Sequence, residues 1–168
     1  AERRAVVERT KAARNYREAA ALAAVADPAK ARALYAKAVA LDPANIDGLL
    51  NHAWFQQEAG NLADAEAAYR RVIALGKPGI DDHWLYWARL GLGDIQSDRG
   101  DLSVAKTTYG EAASIADRLA KADPGNAGAL GGKAAELLRV WPTVSFCARG
   151  GGLRPSPRAR PASANAAR

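Results

Sequence analysis

The sequence is poor in the residues that build disulfide frameworks and metal cages. It contains a single cysteine, Cys147, so no internal disulfide can form and no multi-cysteine metal site is available. Its two histidines, His52 and His83, are thirty-one residues apart, whereas a metal-binding histidine pair on a helix needs a spacing of about one turn. We therefore predict that the protein holds no metal ion.

Long apolar runs are also missing. No stretch of eighteen apolar residues occurs, so we expect no membrane-spanning helix. The sequence does not start with a basic segment followed by an apolar core and a cleavage site, which is the pattern of a secretory signal. These absences predict a cytoplasmic protein.

Motifs of catalytic and nucleotide-binding sites are incomplete. Gly132 and Lys133 lack the earlier glycine and the following Ser or Thr of a phosphate-binding loop, and the GLGDIQ segment at Gly91 lacks the last glycine of a dinucleotide fingerprint. Asp94 and Asp98 lie one helical turn apart, but no apolar pocket is evident that would separate their pKa values for acid and base roles. We predict a non-enzymatic protein without a cofactor, in which this pair forms a solvated or ligand-facing acidic patch.

The positive charge is confined to one end of the chain. Residues 1–131 contain 17 basic and 17 acidic residues, whereas residues 132–168 contain 7 basic residues and one acidic residue. The body therefore has no overall bias toward nucleic acid or acidic membranes, and no specific nucleic-acid partner is predicted. A weaker alternative is that the arginines of the tail bind nucleic acid or an acidic membrane surface electrostatically.

Three segments of the chain repeat one another without gaps. They are ADPAKARALYAKAVAL from Ala26, GNLADAEAAYRRVIAL from Gly60 and GDLSVAKTTYGEAASI from Gly100. In the alignment of the three segments, one column holds Asp27, Asn61 and Asp101. A second column holds Ala31, Ala65 and Ala105, and a third holds Tyr35, Tyr69 and Tyr109. A period of thirty-four to forty residues is typical of helical repeats that stack on their neighbours.

Capping residues and glycines divide the chain into helices. A first helix is expected over Glu2–Val25, and Asp27 and Pro28 start the next, which ends near Leu41. Further helices are expected from about Asn45 to Ala59, from about Asn61 to Leu75, from about Asp82 to Gly100 and from about Leu102 to Ala122. A seventh is predicted from the apolar spacing of residues 130–141, and residues 142–168 are too poor in apolar residues to order.

These columns resemble the tetratricopeptide repeat, a helix-turn-helix unit of thirty-four residues. The family's small residue on the first helix looks like Ala53 and Gly93, and its turn glycine looks like Gly60 and Gly100. Its aromatic position looks like the three tyrosines of the repeat, and its closing proline looks like Pro43 and Pro78. The first unit departs from the pattern with Ala26 at the turn glycine, and the second helix of the third unit is expected to be nearly two turns longer.

The resemblance implies an all-α fold: a right-handed α-solenoid of about three helix pairs with a C-terminal capping helix, covering residues 1–141 and followed by a basic tail, 142–168. It also implies that the first helix of each pair lines a concave groove. On that basis we expect a protein or peptide ligand, preferably basic, to bind Tyr16, Arg17, Asn51, Trp54, Gln57, Trp87, Asp94 and Asp98.

The sequence thus predicts a non-catalytic protein-interaction module or scaffold. The alternative is a scaffold fragment of a larger enzyme or signalling protein whose catalytic domain lies outside this chain. The open ends of a repeat stack could also pair two chains. For Trp54 and Trp87, packing between adjacent helices is an equally weighted interpretation, and Trp84 is expected in the core.

Overall fold

The computed structural model describes residues 2–122, and this part of the chain forms six α-helices and no β-strand. The helices are α1 (Glu2–Ala23), α2 (Pro28–Leu41), α3 (Ile46–Glu58), α4 (Leu62–Leu75), α5 (Asp82–Asp98) and α6 (Leu102–Ala122). The all-helical prediction is confirmed for these residues. The predicted seventh helix and the tail of residues 142–168 lie outside the described residues.

Two helix starts are capped as the sequence predicts. The backbone N–H of Lys30 donates to the Asp27 carboxylate at 2.9 Å, and the N–H of Gly48 donates to the Asn45 side chain at 2.8 Å. Pro28 occupies the first turn of α2, where a missing N–H costs no hydrogen bond. The caps thereby fix where α2 and α3 begin.

Glycine turns end α3 and α5 in the same way. Gly60 and Gly100 have φ angles of 79° and 87°, a conformation that costs glycine little. After each glycine the next N–H returns to a carbonyl five residues earlier, from Asn61 to Gln56 and from Asp101 to Gln96, both at 2.9 Å. This is the Schellman arrangement, which satisfies the carbonyls at the end of a helix.

The turn after α1 has a different form. The expected helix over Glu2–Val25 ends at Ala23 instead, and the N–H of Asp27 donates to the Ala23 carbonyl at 2.8 Å. The Asp27 cap fixes the start of α2 a few residues later, so the chain must leave α1 before Val25. The first unit, which has Ala26 in place of the turn glycine, therefore ends its first helix with a different turn from those at Gly60 and Gly100.

Helices adjacent in sequence pack against each other, and α3 also contacts α5. A central core lies between α3, α4 and α5, and flanking cores join α1, α2 and α3 on one side and α5 and α6 on the other. The aligned columns of the repeat are buried in all three copies: Ala31, Ala65, Ala105, Tyr35, Tyr69 and Tyr109. The columns that repeat in the sequence are thus core positions in every copy.

Two glycines of α5 let neighbouring tyrosines approach the helix backbone. A Cβ atom at Gly91 would lie 2.3 Å from the Tyr69 ring, and one at Gly93 would lie 2.5 Å from the Tyr109 ring. Both distances are far below van der Waals contact, so a side chain at either position requires the buried tyrosine ring to shift. The GLGDIQ segment therefore serves close helix packing, as its place inside a predicted helix suggests.

Candidate peptide-binding face

The eight candidate ligand-binding residues lie on α1, α3 and α5, the helices that alternate with α2, α4 and α6. We use the name α1–α3–α5 face for these eight residues together. Its residues differ in how far their polar groups are already used within the protein. The differences decide which of them can meet a ligand directly.

Tyr16 and Arg17 on α1 are both half-buried. The Lys37 ammonium lies 5.7 Å from the centroid of the Tyr16 ring, a cation–π distance. An Arg17 Nη1 atom lies 3.8 Å from the Asp42 carboxylate, close enough for an ion pair but too far for a hydrogen bond. The Arg17 charge is therefore partly compensated by its own neighbour.

Asn51 and Gln57 of α3 are tied into the helices. Asn51 is only 6% exposed, and its amide donates to the Asp47 carbonyl at 2.9 Å and to the Asp47 carboxylate at 3.1 Å. The Tyr69 hydroxyl donates to the side-chain Oε1 atom of Gln57 at 2.8 Å. The structure thus gives both side chains a role in holding the helices, and Asn51 offers little surface to a ligand.

The two tryptophans of the face are half-buried. Trp54 meets Phe55 edge to face with ring centroids 4.6 Å apart, and Trp87 meets Tyr86 in the same manner at 5.1 Å. Trp54 packs on the core between α1, α2 and α3, whereas Trp87 contacts the two other cores. Each indole therefore packs between helices and still keeps part of its surface accessible.

Asp94 and Asp98, one turn apart on α5, have different environments. The Tyr109 hydroxyl donates to the Asp94 carboxylate at 2.6 Å. Burial raises the pKa of Tyr109 strongly, and the carboxylate charges of Asp94 and Asp98 raise it further, so the hydroxyl stays protonated and remains a donor. Asp98 is exposed and leaves a negative charge at the surface.

The tyrosine hydroxyls are the partners that the sequence reasoning missed. Tyr69 and Tyr109 belong to the aligned tyrosine column, and each hydroxyl donates a hydrogen bond to a polar residue of the face, Gln57 or Asp94. A buried tyrosine needs a hydrogen-bond partner, so the aligned tyrosines were a usable signal. Which residue would accept the bond could not be read from the spacing.

Other candidate chemistry is limited in the part of the chain that the structure describes. Residues 2–122 contain no group of three or more His, Cys, Asp and Glu side chains able to hold a metal ion. None of the described helices is long and apolar enough to cross a membrane. Trp84 packs, half-buried, against the central core, as expected.

His52 is half-buried on α3, and its Nδ1 atom is buried without a hydrogen bond. Burial lowers the pKa of His52 below its ordinary value of 6.5, and the negative charge of Asp64 offsets part of this effect. The neutral imidazole is therefore the form that the fold favours. His52 therefore packs on α3 as a partly buried, neutral side chain.

No protein-family model and no curated protein matches the chain. The class to which residues 2–122 belong is therefore defined by the structure: an all-α protein in which six helices pack on their sequence neighbours.

Proposed function

We propose that the protein is a non-catalytic protein-interaction module, built as a right-handed solenoid of tetratricopeptide-like helix pairs, that binds a basic peptide or partner helix on the α1–α3–α5 face. The observation that carries the proposal is the presence of half-buried tryptophans on the neighbouring helices α3 and α5 together with the exposed carboxylate of Asp98. Partly accessible aromatics beside a charge are typical of binding surfaces.

The repeated packing supports the solenoid part of this proposal. Equivalent alanines and tyrosines are buried in all three aligned segments, and the same glycine turn follows α3 and α5. Contacts of α2 with α3, of α4 with α5 and of α3 with α5 join the successive helix pairs, as expected for units that stack on their neighbours. A rigid wall reduces the entropy that a ligand must overcome on binding.

The alternative is that this chain is the scaffold portion of a larger enzyme or signalling protein. The same face would then position a substrate or a neighbouring domain. A parent gene that encodes only these residues would remove this alternative, whereas one that encodes a further catalytic domain would favour it.

Peptide binding can be tested by fluorescence anisotropy with two labelled peptide libraries. Each peptide of the first library carries two arginines beside an aliphatic residue, and the second library has glutamates in place of the arginines. We expect the arginine library to bind and the glutamate library to bind far more weakly. The charge-reversal variant Asp98→Lys should weaken the selected peptides roughly fivefold, equivalent to about 1 kcal/mol for an exposed charge pair.

The control variant is Asp117→Lys, which makes the same charge change at an exposed position of α6. It should bind the selected peptides as the wild type does, because α6 lies outside the proposed face. Equal weakening by the two variants would show a general charge effect and would contradict a site on the α1–α3–α5 face. Circular dichroism of both variants establishes that they remain helical.

A further inference from the structure

Helix α3 and the end of α5 present exposed carboxylates, and Arg99, the cation that follows Asp98, is already paired with Glu66 of α4. Ile46–Glu58 contains no lysine or arginine, and the Asp47 and Glu58 side chains at its two ends are exposed. On α5, Arg89 donates from Nε to the Glu111 carboxylate at 2.9 Å, so its charge is matched within the structure.

The α3 and α5 carboxylates are also at related places. Glu58 and Asp98 are the last residues of α3 and α5, each is followed by the same glycine turn, and the two helices contact each other. Trp54 and Trp87 lie on the same two helices, half-buried. The surface therefore combines negative charge with indole rings, a combination that suits arginine, which pairs with carboxylates and stacks on aromatic rings.

The chain itself contains a segment of matching chemistry. Residues 142–168 include five arginines and no aspartate, glutamate or lysine, and they follow the described helices in the same polypeptide. All of the net positive charge of the protein lies in the last part of the sequence, while the body is neutral. The tail is thus the most strongly basic segment available to the surface at all times.

The tail is also long enough to reach it. Helix α6 returns toward the start of α5, where Arg118 contacts Asp82, so the described chain ends near one end of α5. From Asp82 to Asp98 the distance along α5 is about 24 Å at the helical rise. The stretch 123–149 contains 27 residues, and even at the helical rise it could span about 40 Å.

We propose that the basic tail, residues 142–168, occupies the α3 and α5 part of the α1–α3–α5 face of its own chain. Its arginines lie against Asp98 of that face and Glu58 at the matching end of α3, and they stack on the two indoles. This inference rests on the proposed function, since it assigns that basic-peptide site an internal ligand. Covalent attachment gives the tail a high effective concentration, so a weak contact suffices to keep the face covered. An external basic ligand must then displace the tail, and the tail sets the threshold for binding.

Cys147 allows a direct test because it is the one cysteine of the sequence and lies in the tail. A nitroxide attached to it in the full-length chain broadens the backbone amide NMR signals of residues close to the tail. We expect broadening of Glu58, Asp98 and their neighbours on α3 and α5, and none on the outer side of α2. Raising the ionic strength from about 0.01 M to about 1 M, which shortens the Debye length from about 30 Å to about 3 Å, should restore these signals.

Charge reversal of the surface provides the matched comparison. The double variant Glu58→Lys and Asp98→Lys should restore most of the lost signal intensity, whereas Asp117→Lys on α6 should leave the broadening unchanged. Mixing nitroxide-labelled chain with isotope-labelled, nitroxide-free chain distinguishes a tail that contacts its own chain from a tail that contacts a second copy. Broadening that survives only within one molecule supports the proposal, and broadening between molecules overturns it in favour of tail exchange between two copies.

Absence of broadening on α3 and α5, or broadening that ignores the double variant, would also overturn the tail contact. The peptide libraries keep this failure distinct from failure of the proposed function. If arginine peptides bind while the nitroxide leaves α3 and α5 unaffected, the face binds external ligands and the tail does not occupy it. If neither is observed, the proposed site itself is wrong.

Discussion

At the residue scale, the glycines of α5 set how closely α4 can approach. We predict that Gly91→Ala destabilises the protein by roughly 1–3 kcal/mol, because the new methyl group would lie 2.3 Å from the Tyr69 ring and force the helices apart. The matched control is Gly110→Ala on α6, where a Cβ atom meets nothing within 4 Å. That change should stabilise the helix by up to about 1 kcal/mol.

Urea unfolding followed by circular dichroism measures both free energies of unfolding. Opposite signs for the two glycine substitutions would establish that Gly91 is kept for packing. A neutral Gly91→Ala variant would contradict the close contact with Tyr69.

A second residue-scale prediction concerns pH. Because burial lowers the pKa of His52, the unfolded chain binds a proton at a higher pH than the folded protein does. The free energy of unfolding should therefore fall as the pH drops below about 6.5, and this loss should level off below the folded-state pKa. The carboxylates with lowered pKa values, Glu66 and Asp82, lose their contribution only at more acidic pH.

The variant His52→Leu removes the titrating group and should flatten the free energy of unfolding between about pH 7 and pH 5. His83→Leu is the comparison, because it removes the other histidine of the sequence and keeps His52. If the dependence follows His83 instead, the assignment to His52 is wrong.

At the scale of the helices, the start of α5 is fixed by a carboxylate that joins three segments. Asp82 accepts the Gly79 N–H at 2.9 Å and two hydrogen bonds from the Arg118 guanidinium of α6, at 2.8 and 2.9 Å. Its side chain is 7% exposed while that of Arg118 is 47% exposed. The Arg118 hydrogen bonds lower the pKa of Asp82, so the carboxylate stays ionised at neutral pH.

We predict that Asp82→Ala lowers the free energy of unfolding by about 2–3 kcal/mol, because several charge-assisted hydrogen bonds disappear together. Asp81→Ala, one residue earlier, should cost only about 1 kcal/mol, since Asp81 accepts a single bond from the exposed Lys77 N–H. Thermal unfolding of both variants checks the difference. Equal losses would mean that Arg118 contributes little to the attachment of α6.

The helix boundaries show what sequence can predict at this scale and what it cannot. The Asp27 and Asn45 caps and the Gly60 turn are local signals, and the structure confirms them. The contacts of Asp82 with Arg118 and of Tyr109 with Asp94 join different helices. Such pairs depend on how one helix is rotated against the next, which the spacing within a helix does not determine.

The candidate face illustrates the same limit. Spacing predicted which residues share α1, α3 and α5, but not how much of each side chain stays accessible. Asn51 is buried because its amide folds onto Asp47 one turn earlier, whereas Asp98 remains exposed at the end of α5. The i, i+4 spacing of Asn51 and Asp47 was visible in the sequence, and it is a contact that such spacing favours.

At the scale of the whole molecule, the six helices should differ in local stability. Helices α3 and α5 contact neighbours on both sides and supply the central core, whereas Glu2–Lys11 at the start of α1 is exposed along its whole length. A helical segment of about ten residues without tertiary contacts is marginal in water.

We predict that amide hydrogen exchange is fastest in Glu2–Lys11 and slowest in α3 and α5, because opening the central helices requires separating packed neighbours on two sides. Mass spectrometry of peptides from quenched samples measures the gradient at two protein concentrations. Protection of Glu2–Lys11 that rises with concentration would show that a second copy covers this end. Protection equal to that of α3 at both concentrations would contradict the prediction, since the start of α1 is exposed along its whole length.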